Sequence, residues 1–435
     1  MHKNPLSRRQ LLLRFKALGR SIVCSILEAQ VRRLRARHQF TVIAVAGSVG
    51  KTSTKMAIAK TLQASRKVQW QEGNYNDRVT VPLIFFGHIE PNILNIWAWL
   101  KIFLKNEGII RHTYPYEVVV VELGTDGPGF MQEFAYTRPD LAVVTAVVPE
   151  HMEFFGTLDA VAAEELGIFD FSKQVLVNID DTPVKYLQGR QYSSFSLHQK
   201  ASYQATQWQQ LELRDGTITI ALPDESKLQA GLAIVGEPGA KITLAAAATA
   251  HMVGLADEAI LQGLTNIKPF AGRMQILSGV HDSIIIDDTY NASPPAVEAA
   301  LDVLYAATAP QRIAILGSMN QLGDYSPEAH QEVGAYCDAK KLDLVVTIGA
   351  AAKQYLAPAA QVAGCEVHNF PSPYQAGEFV KSRLKTGAIV LAEGSQDGVY
   401  AEESLKCLLQ DPGDQAKLVR QSARWMRIKQ QQFPR

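Results

Sequence analysis

From residue 41 onward the chain alternates short, almost wholly apolar runs with stretches of helical periodicity, and few architectures accept such a text. TVIAVAG, YEVVVVELG, DLAVVTAVV and KQVLVNID are β-branched runs ending on small or polar residues. A strand that is apolar at every position must be covered on both faces, as a parallel strand is between two helical layers. Between the runs, KTSTKMAIAKTLQ and LDAVAAEELGIFDF carry helical spacing. A doubly wound α/β domain is expected. Over 190–235 the character changes: FSL and YQATQWQQLELRDGTITIAL read as an antiparallel meander appended to that domain. The alanine-rich KITLAAAATAHMVGL reads as a helix. A second α/β series begins near Gly272, with SIIIDD, RIAILG, LDLVVTIG, EVHNF and AIVLAEG as strands. KPFAGR separates the series and predicts a hinge near 268–273. The spacing therefore predicts a basic helical segment over 1–38, a first domain over 39–270 and a second over 271–435.

Composition excludes several classes. A chain of 435 residues exceeds one ordinary core, and its 47% hydrophobic and 20% charged shares are those of a soluble globular protein. Net charge is zero, so no global field calls for nucleic acid. Cys24, Cys337, Cys365 and Cys407 are too scattered for a zinc site and suit a reducing compartment. No apolar run approaches the roughly 18–20 residues of a spanning helix, so a cytoplasmic protein is expected. Charge is nonetheless uneven: residues 1–37 hold ten lysines and arginines against the single acid Glu28. Two readings stand side by side, contact of residues 1–37 with an anionic membrane surface and a solvated helix packed on the first domain. An Arg-rich, acid-poor start also resembles an organelle transit peptide.

The strongest local signal is GSVGKTS, set between an apolar strand and a helix. Gly47, Ser48, Val49 and Gly50 let the backbone curl so that its N–H groups point at phosphate oxygens. Lys51 would reach the terminal phosphates and the Thr52 hydroxyl would bind Mg²⁺, with Ser53 beside it. Val45 stands where the full eight-residue pattern has its first glycine. The bland alternative is a turn with no ligand. Glu122 ends VVVVE, at the strand terminus where doubly wound sheets place metal and ligand groups. His151, after the next strand, could equally bind metal or be a satisfied surface histidine.

Several blocks together resemble the Mur ligases: GSVGKTSTK, GNYNDRVTVPL (73–83), VELGTDGPGFMQEFA (121–135), RPDLAVVTAVVPEHMEFFGTLDAVA (138–162), DDTYNASPPAVEAALDVL (287–304) and ILGSMNQLGDYSPEAHQEVG (315–334). The likeness is colinear over about residues 40–410, and the branch most resembled adds D-Ala-D-Ala to the peptidoglycan precursor. The resemblance implies a P-loop central domain followed by a Rossmann-like C-terminal domain. It implies an ATP-dependent carboxylate–amine ligase working through an acyl phosphate, with Mg²⁺. The partners implied are a carboxylate acceptor such as a UDP-muramoyl peptide and an amine such as D-Ala-D-Ala, and a monomer is expected. By the same pattern Thr52 and Glu122 hold one Mg²⁺, Lys51 lies along the phosphates, and His151 helps hold a second metal. Arg273 and the Asp288, Tyr290, Asn291 turn close over the nucleotide, while Asn74, Asn76 and Asp77 line the acceptor site.

The chain departs from that pattern at defined places. Fourteen residues after the motif histidine, most of the family carry a CO₂-modified lysine; here Glu165 stands there, and it is expected to bind the second Mg²⁺ directly or through water. GEPGAKITLAAAA replaces a His-Asn-containing stretch that seats the base. Ser293, Ser318 and Glu393 replace Asn, Asp and Lys near the expected amine site. Arg78 and Thr80 stand for an acid and a glycine. The separate UDP-sugar-gripping domain that usually opens this branch is expected to be missing. Alternatives are a ligase of this type on a polyglutamate-like or lipid-linked substrate, and a nucleotide-binding scaffold without catalysis. IWAWLKIF (96–103) reads as a core or interface helix, and Trp425 as packing on a terminal helix.

Overall fold

The computed structural model describes residues 8–73, 75–210, 213 and 216–434, with side chains from residue 16 onward. Asn74 lies outside the described residues. Two sheets carry the architecture. The first is nine-stranded and comprises β1 (Thr41–Ala46), β2 (Val68–Gln69), β3 (Val118–Glu122), β4 (Leu141–Val144), β5 (Gln174–Asn178), β6 (Ser193–Ser196), β7 (Tyr203–Gln210), β8 (Gly216–Ala221) and β9 (Lys227–Gly231). Their spatial order is 2-3-1-4-5-6-7-8-9.

The alternation of side chains explains why the early runs are apolar throughout. Ile43 and Val45 of β1, Val118 and Val120 of β3, and Leu141 and Val143 of β4 enter one core cluster. Val42, Ala44, Val119, Val121, Ala142 and Val144 enter the other. Both faces are thus covered, as a buried parallel sheet requires. The meander does not begin where the sequence suggested. β6 pairs parallel with both β5 and β7, and only β7, β8 and β9 run antiparallel. They continue the same sheet, so the appended unit is its edge.

The first helices are α1 (Arg8–Arg37), α2 (Lys51–Leu62), α3 (Thr80–Phe86) and α4 (Ile96–Arg111). On α1, Val23, Leu27, Val31 and Leu34 fall on one face and are buried. The basic segment therefore packs as a helix on the first domain. Its buried acid, Glu28, receives the Arg78 guanidinium at 2.7 Å, and Arg20 reaches Asp77 at 2.8 Å.

The second sheet comprises β10 (Gln275–Ser278), β11 (Ile284–Asp288), β12 (Arg312–Gly317), β13 (Leu344–Ile348), β14 (Val367–Phe370) and β15 (Ile389–Glu393), in the order 10-11-15-12-13-14. All its pairings are parallel except β10 with β11, a hairpin the sequence reading passed over. The alanine-rich helix starts earlier than the sequence suggested, at Gly236, and runs to Met252. Its small side chains are buried on nearly every side, so the helix sits inside the molecule. Gly236 has φ 76°, and a Cβ there would collide with Val303 of the helix Pro294–Ala306. The two sheets are therefore in direct contact through this pair of helices. A second contact joins the Glu153 amide to the Gln321 carbonyl at 3.3 Å.

Candidate active site at the cleft between the sheets

β1 ends at Ala46 and the chain turns at once into α2. Gly47 at φ 122° and Gly50 at φ 80° occupy backbone regions that side chains avoid. At Gly47 the reason is also steric, since a Cβ would lie 2.8 Å from the Ala146 amide nitrogen. The segment after β4 fixes the turn from the side: Ser48 N–H donates to the Ala146 carbonyl at 2.9 Å, and the Thr145 hydroxyl donates to the Val49 carbonyl at 2.6 Å. Gly50 caps α2 without a side-chain hydrogen bond, which leaves the helix's positive end open to an anion.

Lys51 folds back over the turn. Its Nζ donates to the carbonyls of Gly47 and Ser48, the latter at 2.9 Å, and stands 3.4 Å from Glu150 Oε2. Burial disfavours its charge, but Glu150, Glu165 and Glu122 more than offset that and lift its pKa above the usual lysine value. The ammonium therefore stays charged, as a phosphate-binding group must.

Glu122, at the end of β3, is buried. Its Oε1 accepts from the Thr52 hydroxyl at 3.0 Å and from Asn76 Nδ2 at 3.3 Å. Oε2 lies 3.3 Å from the ammonium of Lys55 yet has no hydrogen-bond donor. Lys55 itself is fully buried and donates to the Gly73 carbonyl at 2.6 Å. Sequence reasoning missed this lysine. The available signal was a cation one turn beyond Lys51, directly before the small and apolar run Met56–Ala59.

Glu165 does not stand where it was expected. It is absent from the cavity lining and buried behind the turn, where Oε2 accepts from Gly47 N–H at 2.7 Å and Oε1 from the Thr125 hydroxyl at 3.0 Å. Burial, with Glu150 adding, raises its pKa against the opposing pull of Lys51. Its carboxylate braces the loop through these two hydrogen bonds. His151, at φ 51°, does line the cavity, with Nε2 at 3.7 Å from Glu150 Oε1 and 4.0 Å from Asp126 Oδ1. Its Nδ1 is buried without a partner.

The facing wall comes from the second sheet. Asp288 ends β11, and its carboxylate accepts from Met274 N–H at 3.0 Å. The Arg273 guanidinium lies 4.3 Å from the Tyr290 ring centroid, and Tyr290 N–H donates to Gly272 O at 3.0 Å. Glu393 is the register neighbour of Asp288 on β15. Burial and the neighbouring Asp288 push the Glu393 carboxyl well above the usual range, and burial pushes Asp287 up to about 6. A second unforeseen group holds the turn from behind. Arg420 donates to the carbonyls of Tyr290, at 2.8 Å, and Thr289, and pairs with Glu402 at 2.7 Å. Glu402 in turn receives buried Lys429 at 2.7 Å.

Between the walls lies a cavity of about 1480 Å³. Its lining brings together Ser48 to Ser53, Asn76, Asp77, Glu122 and His151 from one side and Arg273, Asp288, Tyr290 and Asn291 from the other. Among the described residues no group of three or more His, Cys, Asp or Glu could cage a metal. Mg²⁺ needs no such cage, because it is usually held by one or two carboxylates together with substrate phosphates. A buried carboxylate oxygen without a donor, beside a threonine hydroxyl, fits that requirement.

Residues 105–250 match the Mur ligase middle domain, and residues 272–396 match the Mur ligase, glutamate ligase domain. The UDP-N-acetylmuramoyl-tripeptide–D-alanyl-D-alanine ligase of Haemophilus influenzae is 28% identical over 339 residues, 73% of this chain. The chain spans only 65% of that relative's length. The ligase of the same name from Bacillus subtilis is 26% identical over 378 residues, covering 85% of this chain and 76% of its own. In fold, the MurF ligase of Thermotoga maritima in complex with ADP superposes with a TM-score of 0.72 at 22% identity, over 88% of this chain and 83% of that one. The two matched domains take up well over half of the sequence: the chain belongs to the Mur ligase family.

Proposed function

We propose that this chain is an ATP-dependent carboxylate–amine ligase that joins D-Ala-D-Ala, or a similar amine, to a peptidoglycan precursor such as a UDP-muramoyl peptide. One observation carries the reading: a glycine turn with Lys51, Thr52 and Glu122 faces Arg273 and the Asp288–Asn291 turn across a single cavity. The relatives named for D-alanyl-D-alanine addition supply the substrate class.

The residues divide the work by chemistry. Lys51 and the free amides of α2 hold a nucleotide's terminal phosphates. Thr52 and Glu122 hold Mg²⁺, which neutralises phosphate charge when bound. Arg273 and Tyr290 hold the nucleotide from the second wall. The reaction then needs a carboxylate placed in line with the γ-phosphorus, so that a phosphoryl group passes to it; attack by an amine on the acyl carbon gives the amide and phosphate. Such transfers depend on positioning and charge neutralisation more than on covalent help. Asn76 and Asp77 line the same cavity and are the residues we assign to the acceptor carboxylate. His151, flanked by Glu150 and Asp126, is the group best placed to help a second cation. We also propose a cytoplasmic monomer, with membrane-surface contact through residues 1–37 as a separate suggestion from their basic charge; no helix among the described residues is long and apolar enough to span a membrane.

A phosphate-release assay on the purified chain tests this, with ATP, Mg²⁺, UDP-muramoyl tripeptide and D-Ala-D-Ala supplied together and singly. Release that requires all of them supports the reading. Release with a glutamate-bearing or lipid-linked acceptor in place of the muramoyl peptide would move the substrate class. ATP binding with no release under any pairing would remove the catalytic claim.

A further inference from the structure

The helix pair that supports the acceptor loop has an outer face the ligase reading does not use. Hydrogen bonds link Gln30 to the Phe103 carbonyl at 2.9 Å, Arg33 to Glu107 at 2.8 Å and Arg37 to the Arg111 carbonyl at 3.2 Å. The last two pairs share an offset of 74 residues, so α1 and α4 run side by side in the same direction. Ile22 and Ile26 of α1 then fall beside Ile96 and Leu100 of α4.

The inner sides of these helices already share a core of Val23, Cys24, Leu27, Leu83, Trp99 and Ile102. A second apolar stripe is left over. Leu18, Ile22 and Ile26 are exposed on α1, and Ile96, Leu100 and Leu104 on α4. Trp97 is 81% exposed, and Ile89 in the adjoining loop is 74% exposed. With Leu94, this one region holds nine of the fifteen large hydrophobic side chains exposed among the described residues. Singly scattered apolar residues need no explanation, but a contiguous ridge marks a surface that is covered in use.

We propose that this ridge docks the protein peripherally on an anionic lipid surface. Trp97 and the leucines enter the headgroup boundary, and basic side chains flank them. Lys101 and Lys105 line the same shallow depression as Trp97, Leu100 and Leu104, and neither has an ion-pair partner among the described residues. The neighbouring acids are mostly engaged: Glu107 with Arg33, Glu28 with Arg78, and Asp77 with Arg20. Glu90 is the exposed exception. A rim of unpaired cations around an apolar stripe with an interfacial tryptophan is the pattern of a surface-lying anchor. It also disfavours a second copy as the occupant, because a two-fold contact would bring two sets of unpaired Lys101 and Lys105 into one interface. The proposal extends the suggestion drawn from residues 1–37 by joining α4 and its loop to α1, and it is independent of the ligase chemistry.

Flotation of the full chain with vesicles tests it, using phosphatidylcholine alone or with about a third phosphatidylglycerol. Binding is expected only to the anionic vesicles, and high salt should weaken it. Leu100→Glu, and separately Lys101→Glu with Lys105→Glu, should each reduce it about tenfold or more. These positions are exposed, and an unchanged Tm together with unchanged nucleotide binding shows that the variants fold. Absence of flotation with the anionic vesicles overturns the proposal, as does equal flotation with phosphatidylcholine alone. A dimer that Leu100→Glu dissociates, without vesicle binding, assigns the ridge to a second copy instead.

Discussion

Both walls of the cleft are built at the C-terminal ends of parallel strands, yet they balance charge in opposite ways. On the first wall, the buried carboxylate of Glu122 meets Thr52, Asn76 and the equally buried ammonium of Lys55. On the second, the register neighbours Asp288 and Glu393 lie near the Arg273 guanidinium, Asp287 is buried next to them in the chain, and burial drives all three carboxyls upward in pKa. The first wall holds its charge by pairing it; the second makes its acids harder to ionise by burying them together. A site assembled this way presents a charged, ready surface to phosphates on one side and a proton-dependent one on the other.

The largest expected effect lies on the paired wall. Lys51→Met removes the mobile ammonium and should lower ATP-dependent phosphate release by about a thousandfold, with Tm nearly unchanged. Lys55→Met should do the reverse in kind. It leaves Glu122 buried and unpaired, which costs about 3–5 kcal/mol of stability, measured by urea unfolding. Adding Glu122→Gln should restore most of that stability and none of the activity. If Lys55→Met is as stable as the parent chain, the pairing account of this wall is wrong.

Arg420→Ala probes the second wall from behind. Losing its donors to the Thr289 and Tyr290 carbonyls should raise the KM for ATP about tenfold while kcat changes less, and Arg420→Lys should recover part of the loss. Protons on this wall should also show in stability. A carboxyl whose folded pKa is raised binds more protons folded than unfolded, so its contribution is complete below the unfolded pKa and is lost as pH rises through the folded one. Stability should therefore fall as pH climbs from the ordinary carboxylate range through about 6, where Asp287 titrates, and further while Glu393 holds its proton. Glu393→Gln should flatten the dependence above the ordinary carboxylate range, read by denaturation at each pH. An unchanged profile would mean that the acids are compensated in a way their neighbours do not reveal.

These differences follow what the sequence could and could not disclose. Local chemistry was legible: the glycine turn, the carboxylate at the end of β3 and the apolar runs of β1, β3 and β4 each signal themselves within a few residues. The hairpin partner β10 was not, because QILS carries only half a strand's apolar pattern and takes its pairing from β11. Nor was the direction of β6, four residues long, since direction is set by its neighbours. Lys55 lay within the motif's own helix, but nothing in the sequence said that its environment was dry. Arg420 is 130 residues from the turn it holds and could be found only from the fold.

Glu165 gives the smallest expected effect and the sharpest test of where pairing ends. A metal ligand and a loop brace make different demands on the same carboxylate. As a brace, Glu165 supplies two acceptors, to Gly47 N–H and to the Thr125 hydroxyl, and an amide side chain keeps one carbonyl oxygen for the first of them. Glu165→Gln should then cost a few-fold in kcat, on the order of one hydrogen bond, with the Mg²⁺ concentration for half-maximal rate unchanged. As a ligand it would lose its charge, and that concentration would rise instead. The neighbouring Glu150→Gln supplies the contrast: Glu150 lines the cavity beside Lys51 and His151, so its loss should alter metal dependence where the loss of Glu165 does not. If the two variants exchange behaviour, the second cation sits behind the turn, and the brace is the wrong account of residue 165.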